Sequence, residues 1–125
     1  MPNPENCAQA TVGNVGHLQC SYGDIGVEVF AIRDAISMSE LRDLAFDYAE
    51  LPPRYWQWEG MRHNVQGYSN YEAWTAEGNG IAVLGLVGQS SRSDVGHIVF
   101  VYGSQSSLDR NTDTLMSFIT NIEAI

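Results

Sequence analysis

The hydrophobic pattern is densest in residues 81–102, where the apolar runs IAVLGLVG and HIVFVYG are joined by the polar stretch QSSRSDVG. Runs of Val, Ile and Leu bounded by Gly, Ser and Asp are the pattern of strands packed on a core. Two in succession predict a buried antiparallel hairpin. Upstream, residues 15–22 read as a short mixed strand, and the pair Gly23-Asp24 as a turn. In residues 25–32 Val27, Val29 and Ala31 alternate with Glu28, Phe30 and Ile32, the period-two signature of a second strand hairpinned to the first. Residues 1–13, with Pro2, Pro4 and Gly13, read as an irregular arm.

The period changes after residue 36. Ser37-Met38-Ser39-Glu40 has the form of a capping box, in which Ser37 accepts from the Glu40 backbone N–H and the Glu40 side chain reaches back. Leu41, Leu44, Ala45 and Tyr48 then recur at helical spacing, with Asp43, Asp47 and Glu50 on the outer side. Pro52-Pro53 stops that helix. Residues 55–59 and 64–74 read as strands, with Gly60 and the Gly78-Asn79-Gly80 cluster as turns. After residue 102 the segment GSQSSLD reads as a loop. Asp109 or Asn111 then caps a last helix carrying Leu115, Phe118, Ile119 and Ile122. The pattern predicts an α+β domain, an antiparallel sheet of five to six strands with two helices packed on one face.

Composition narrows the function. A chain of 125 residues is one domain, residues 1–125, able to bury about two-thirds of the surface it exposes unfolded. The net charge is −9, and the six cations are all Arg at scattered positions. Phosphate binding needs clustered cations, so nucleic acid is excluded as a partner. No run approaches the 18 or so apolar residues of a membrane span, which speaks against membrane insertion. The oligomeric state is left open.

Cys7 and Cys20 stand close together near the N-terminus. An even count at this spacing fits a disulfide, which in the chain-entropy model contributes roughly 3 kcal/mol. Residues 1–6 carry neither a basic nor an apolar signal region. With the cysteines, this favours a periplasmic or extracellular protein whose signal has been trimmed and whose Met1 is supplied for expression, with a cytosolic protein as the alternative.

The element order resembles the PsbP/Mog-like fold, carried here by SMSELRDLAFDYAEL, NVQGYSNYEAWTAEGNGIAVLGLVG, GHIVFVYG and TLMSFITNIEAI over about residues 20–125. The resemblance implies a non-enzymatic binding module, such as an extrinsic subunit of a membrane complex, a lipoprotein or a small-GTPase partner. The cysteine pair and the aromatic density of residues 55–74 are not part of that pattern.

Little points to catalysis. His17, His63 and His97 sit in different elements with no short-range pair of metal-ligand spacing, so neither a metal nor another cofactor is expected. Ser91, Ser93, Asp94 and His97 are the residue types of a triad but lie too close along one loop, and no G-x-S-x-G elbow occurs. GNGIAVLGLVG lacks the glycine spacing of a dinucleotide site.

The remaining constellation is aromatic: Tyr55, Trp56, Trp58, Tyr68, Tyr71 and Trp74. Trp56 and Trp58 share one strand face, and Tyr68 and Trp74 share another if no bulge intervenes. Part of the set is core; the rest forms a platform flanked by Arg54 and Arg62, with Glu59 and Glu72 placed to orient a ligand. The reading is an exported module that binds a protein partner through this strand region. The alternative is a small-ligand or carbohydrate-binding protein using the same aromatics in a pocket.

Overall fold

The computed structural model describes residues 5–22, 24–33, 37–49, 56–65, 68–78, 80–90 and 95–110. Three strands come first, β1 (Glu5–Val12), β2 (Val15–Tyr22) and β3 (Ile25–Ile32), followed by helix α1 (Met38–Tyr48). Four more strands follow, β4 (Trp56–Val65), β5 (Tyr68–Gly78), β6 (Ile81–Ser90) and β7 (Gly96–Gly103), and then helix α2 (Gln105–Arg110). All seven strands form one sheet in the order β1-β2-β3-β7-β6-β5-β4, every pair antiparallel. Two meanders, β1-β2-β3 and β4-β5-β6-β7, thus join through the β3–β7 ladder. The expected β6–β7 hairpin lies inside the sheet, and β7 is its middle strand.

Two of the seven strands were not expected as such, and both differences trace to glycine. Residues 5–12 are an edge strand rather than an irregular arm, because Gly13 at φ 59 makes a two-residue turn that sets Val12 opposite Val15. Gly60 lies within β4 rather than in a turn. Its φ of 138 and the register slip between Trp58 and Gly60 mark a bulge, so the strand runs on to Val65 and Asn64 belongs to β4.

The strands alternate between two cores. Ile25, Val27 and Val29 of β3, Leu86 of β6, and Val99 and Val101 of β7 pack on one face together with Leu108 of α2. Phe30 and Ile32, Val87, and Ile98 and Phe100 pack on the other against Leu41 and Ala45 of α1. The helices therefore lie on opposite faces, not on one. The two positions one residue apart along β7 feed different cores, so each helix finds its own apolar surface.

α1 starts as its capping box predicts, the Glu40 N–H donating to Ser37 Oγ at 3.2 Å, while the Glu40 carboxylate meets the Ser37 hydroxyl. Asp43 and Asp47 face water. α1 carries the chain from β3, at the middle of the sheet, to β4 at its far edge, and so crosses β7 and β6. α2 begins at Gln105, within the stretch read as a loop, and Ser104 caps it: Ser104 Oγ accepts from the Ser107 N–H at 3.2 Å, and Asp109 lies inside the helix. The expected helix over Leu115–Ile122 falls outside the described residues. Among the described residues no helix is long and apolar enough to cross a membrane.

Candidate functional site: the aromatic edge of the sheet

Among the described residues β4 is an edge strand, paired only with β5. Trp56 pairs with Ala76, and Trp58 with Trp74, so all three indoles lie on the α1 face. Trp74 therefore shares the face of Trp56 and Trp58, and the expected separation into two faces is corrected. β5 also carries a register slip between Tyr68 and Asn70.

Burial separates the tryptophans. Trp56 is 8% exposed and belongs to the core, whereas Trp58, two residues on, is 54% exposed. Trp56 reaches across β5 to β6, where Gly85 makes room: a Cβ at residue 85 would fall 3.0 Å from its ring. Phe46 of α1 lies 6.4 Å from Trp56 and stands edge-on to Trp74 at 5.3 Å. Phe100 joins the same layer at 6.1 Å from Trp56, and Phe30 meets Phe100 edge-on at 6.2 Å. Phe30 in turn is stacked between His17 and Tyr48, each at 4.4 Å. Aromatic packing of this kind gives about 0.5–1.5 kcal/mol per pair beyond area burial. The cluster read from residues 55–74 is thus one end of a layer that begins on β2.

Glu72 is fully buried on the same face of β5. Arg42 of α1 holds it with two donors, Nε at 2.9 Å to Oε2 and Nη2 to Oε1, and Trp74 Nε1 donates to Oε2 at 3.2 Å. Burial by itself raises a carboxyl pKa, but the guanidinium and indole donors outweigh it and hold Glu72 below the ordinary carboxylate value. Glu72 is therefore committed to the interior and is not placed to orient a ligand. Its role is to fix α1 and the Trp74 indole together. The cavity bounded by Arg42, Phe46, Trp56, Trp74 and Phe100 measures about 10 Å³, room for no more than a water.

The sequence reading missed Arg42 because only the Leu41-Leu44-Ala45-Tyr48 stripe was read from α1. Arg42 and Phe46 form a second stripe, four residues apart, that faces β5. The side chains of Tyr55, Arg62, Tyr68 and Tyr71 lie outside the described residues, as do those of Cys7, Arg54, Glu59 and His63. Ser91, Ser93 and Asp94 lie outside them too. The other histidines fall on opposite faces: His17 stacks on Phe30 with Nε2 3.9 Å from Glu28 Oε2, while His97 is buried on the α2 face and its pKa is lowered by burial to about 4.

Comparison with known proteins returns no matching family model, no matching curated protein and no matching solved structure.

Proposed function

We propose that the protein is a non-enzymatic binding module that docks a protein partner on the outer end of the aromatic layer, with Trp58 as its anchor. The observation that carries this reading is the contrast along β4. Trp56 is buried, while Trp58 on the same face is more than half exposed although its cross-strand neighbour Trp74 is fixed by Glu72 and Phe46. An indole has two side-chain torsions and so loses little conformational freedom on binding, which is what an interface anchor requires. Among the described residues Trp58 and Ile81 are the exposed large hydrophobic side chains.

Charge narrows the partner. The chain carries −9, and Glu40, Asp43 and Asp47 are exposed on α1, the helix that covers the layer. A basic protein surface with an apolar centre is complementary to that charge. The test is quantitative recovery of a partner by the wild type and by Trp58→Ala at two salt concentrations. Recovery lost in the variant and weakened by salt supports the reading; equal recovery by both proteins removes it.

We also propose that Cys7 and Cys20 are bridged and that the protein works in an oxidising compartment, periplasmic or extracellular. Support comes from Cys20, which is buried and is not a free thiol. The ladder gives further support, since it sets Glu5 opposite Ser21 and Ala8 opposite Gln19, so residue 20 stands opposite the slipped stretch that holds residue 7. Reducing compartments keep such thiols apart.

A further inference from the structure

The α1 face is covered unevenly. Leu41 lies so close over one end that a Cβ on Gly96 would fall 2.6 Å from its methyl carbon. At the other end, where the β2–β3 and β5–β6 connections meet the β7–α2 junction, a groove of about 590 Å³ runs round the end of the sheet, lined by Tyr102 of the α1 face and Ile25 of the α2 face. That volume is within the range of small-molecule sites, roughly 300–1,000 Å³. It shares no residue with the Trp58 surface.

The groove has two apolar walls and one charged rim. Tyr102 forms the first wall, its ring laid over Gly26 so closely that a Cβ there would sit 2.3 Å from Cε2. Ile81 forms the second, a large apolar side chain that is 48% exposed. Asp24 stands on the rim, its side chain 65% exposed. Its position is fixed: the Ser107 hydroxyl donates to Oδ2, and Ser107 is itself held by Ser104 Oγ at 2.9 Å and by Arg110 Nη2 at 3.1 Å. The Arg110 guanidinium also approaches Asp24, at 3.9 Å from a side chain that is 71% exposed. An ion pair so long and so exposed contributes little and yields to a competing cation. Gln19, an exposed residue of the groove lining, is bonded to Glu28 at 3.3 Å.

We propose that this groove binds a small organic amine, an alkylammonium head on an aromatic or aliphatic body, with the body against Tyr102 and Ile81 and the head at Asp24. An aromatic ring and a carboxylate lining one groove offer such a cation a π face and a counter-charge. The net charge of −9 raises their local concentration. A neutral analogue of the same shape keeps the apolar contacts and loses the charged one, so the two ligands separate the terms.

The test is an amide NMR titration of the full chain with 2-phenylethylammonium chloride and, separately, with 2-phenylethanol at matched ionic strength. The expected result is saturable shifts at the Gly26, Ile81 and Gly103 amides, with the amine bound about fivefold more tightly than the alcohol, the upper end for one exposed ion pair. Asp24→Asn should bring the amine down to the alcohol's affinity. Ile81→Lys, on an exposed side chain, places a cation at the mouth and should weaken the amine more than the alcohol, and it decides the matter should Asp24→Asn fail to fold. No saturable shift at these amides, or equal affinities for amine and alcohol in the wild type, overturns the proposal.

Discussion

Replacing Arg42 by alanine leaves the Glu72 carboxylate buried with, among the described residues, Trp74 Nε1 as its remaining side-chain donor. Breaking one side of a buried ion pair typically costs about 3–5 kcal/mol, because the other charge stays desolvated. The Arg42 side chain is 34% exposed, so water reaches the pair from one side and the lower end, about 3 kcal/mol, applies. That is a large share of a domain stability of about 5–15 kcal/mol. The pH dependence gives the sharper test. In the wild type the folded pKa of Glu72 is lowered, so its contribution is present above the unfolded carboxyl value and is lost as pH falls through the folded one. In Arg42→Ala, burial without the guanidinium pushes that pKa up instead. The folded variant then binds a proton as the solution is acidified, and its deficit shrinks. Urea denaturation followed by Trp fluorescence and circular dichroism at pH 7 and pH 4 measures both effects. The double variant Arg42→Leu, Glu72→Met, which leaves no isolated charge, should recover most of the loss. A deficit below about 1 kcal/mol that is the same at both pH values would refute the reasoning.

Gly85→Ala drives a methyl group to 3.0 Å from the Trp56 ring, and should cost about 1–3 kcal/mol of overpacking in urea denaturation. An unchanged midpoint would show that Trp56 yields freely. The buried His97 should titrate near pH 4 when its Cε1–H resonance is followed by NMR. Because its folded pKa lies below the ordinary value, this histidine contributes stability fully present above about pH 6.5 and lost as pH falls towards 4. A midpoint near 6.5 contradicts its burial. Thiol titration of the unfolded, unreduced protein should find no reactive cysteine, and two reactive thiols would remove the Cys7–Cys20 bridge.

Residues whose neighbours in sequence decide their environment were legible before the structure. The apolar runs of β6 and β7, the alternation of β3 and the Ser37 cap each rest on local patterning, and each stands as read. Pairings between distant elements were not legible. Gly60 reads as a turn in a one-dimensional pattern, yet a positive φ serves a bulge equally well, and only the β4–β5 register decides between them. The side of the sheet taken by α2 depends on whether Leu108 meets the odd or even positions of β7, which periodicity within α2 does not encode. In the aromatic region the composition pointed to a cluster, but the difference between Trp56 and Trp58 depends on Phe46 and Gly85, far away in the chain. Glu72 was read as a ligand-facing group for the same reason, its partner lying thirty residues earlier.

The most direct test of the central claim is recovery of a partner from an extract of the source organism by wild-type protein and by Trp58→Ala. Far-UV circular dichroism and thermal unfolding establish that both are folded. A tryptophan anchor is typically worth about 2 kcal/mol or more, equivalent to roughly thirtyfold in affinity. Because Trp58 is 54% exposed, its removal should leave the unfolding midpoint nearly unchanged while recovery falls by about that factor. Equal recovery by the two folded proteins would contradict the account.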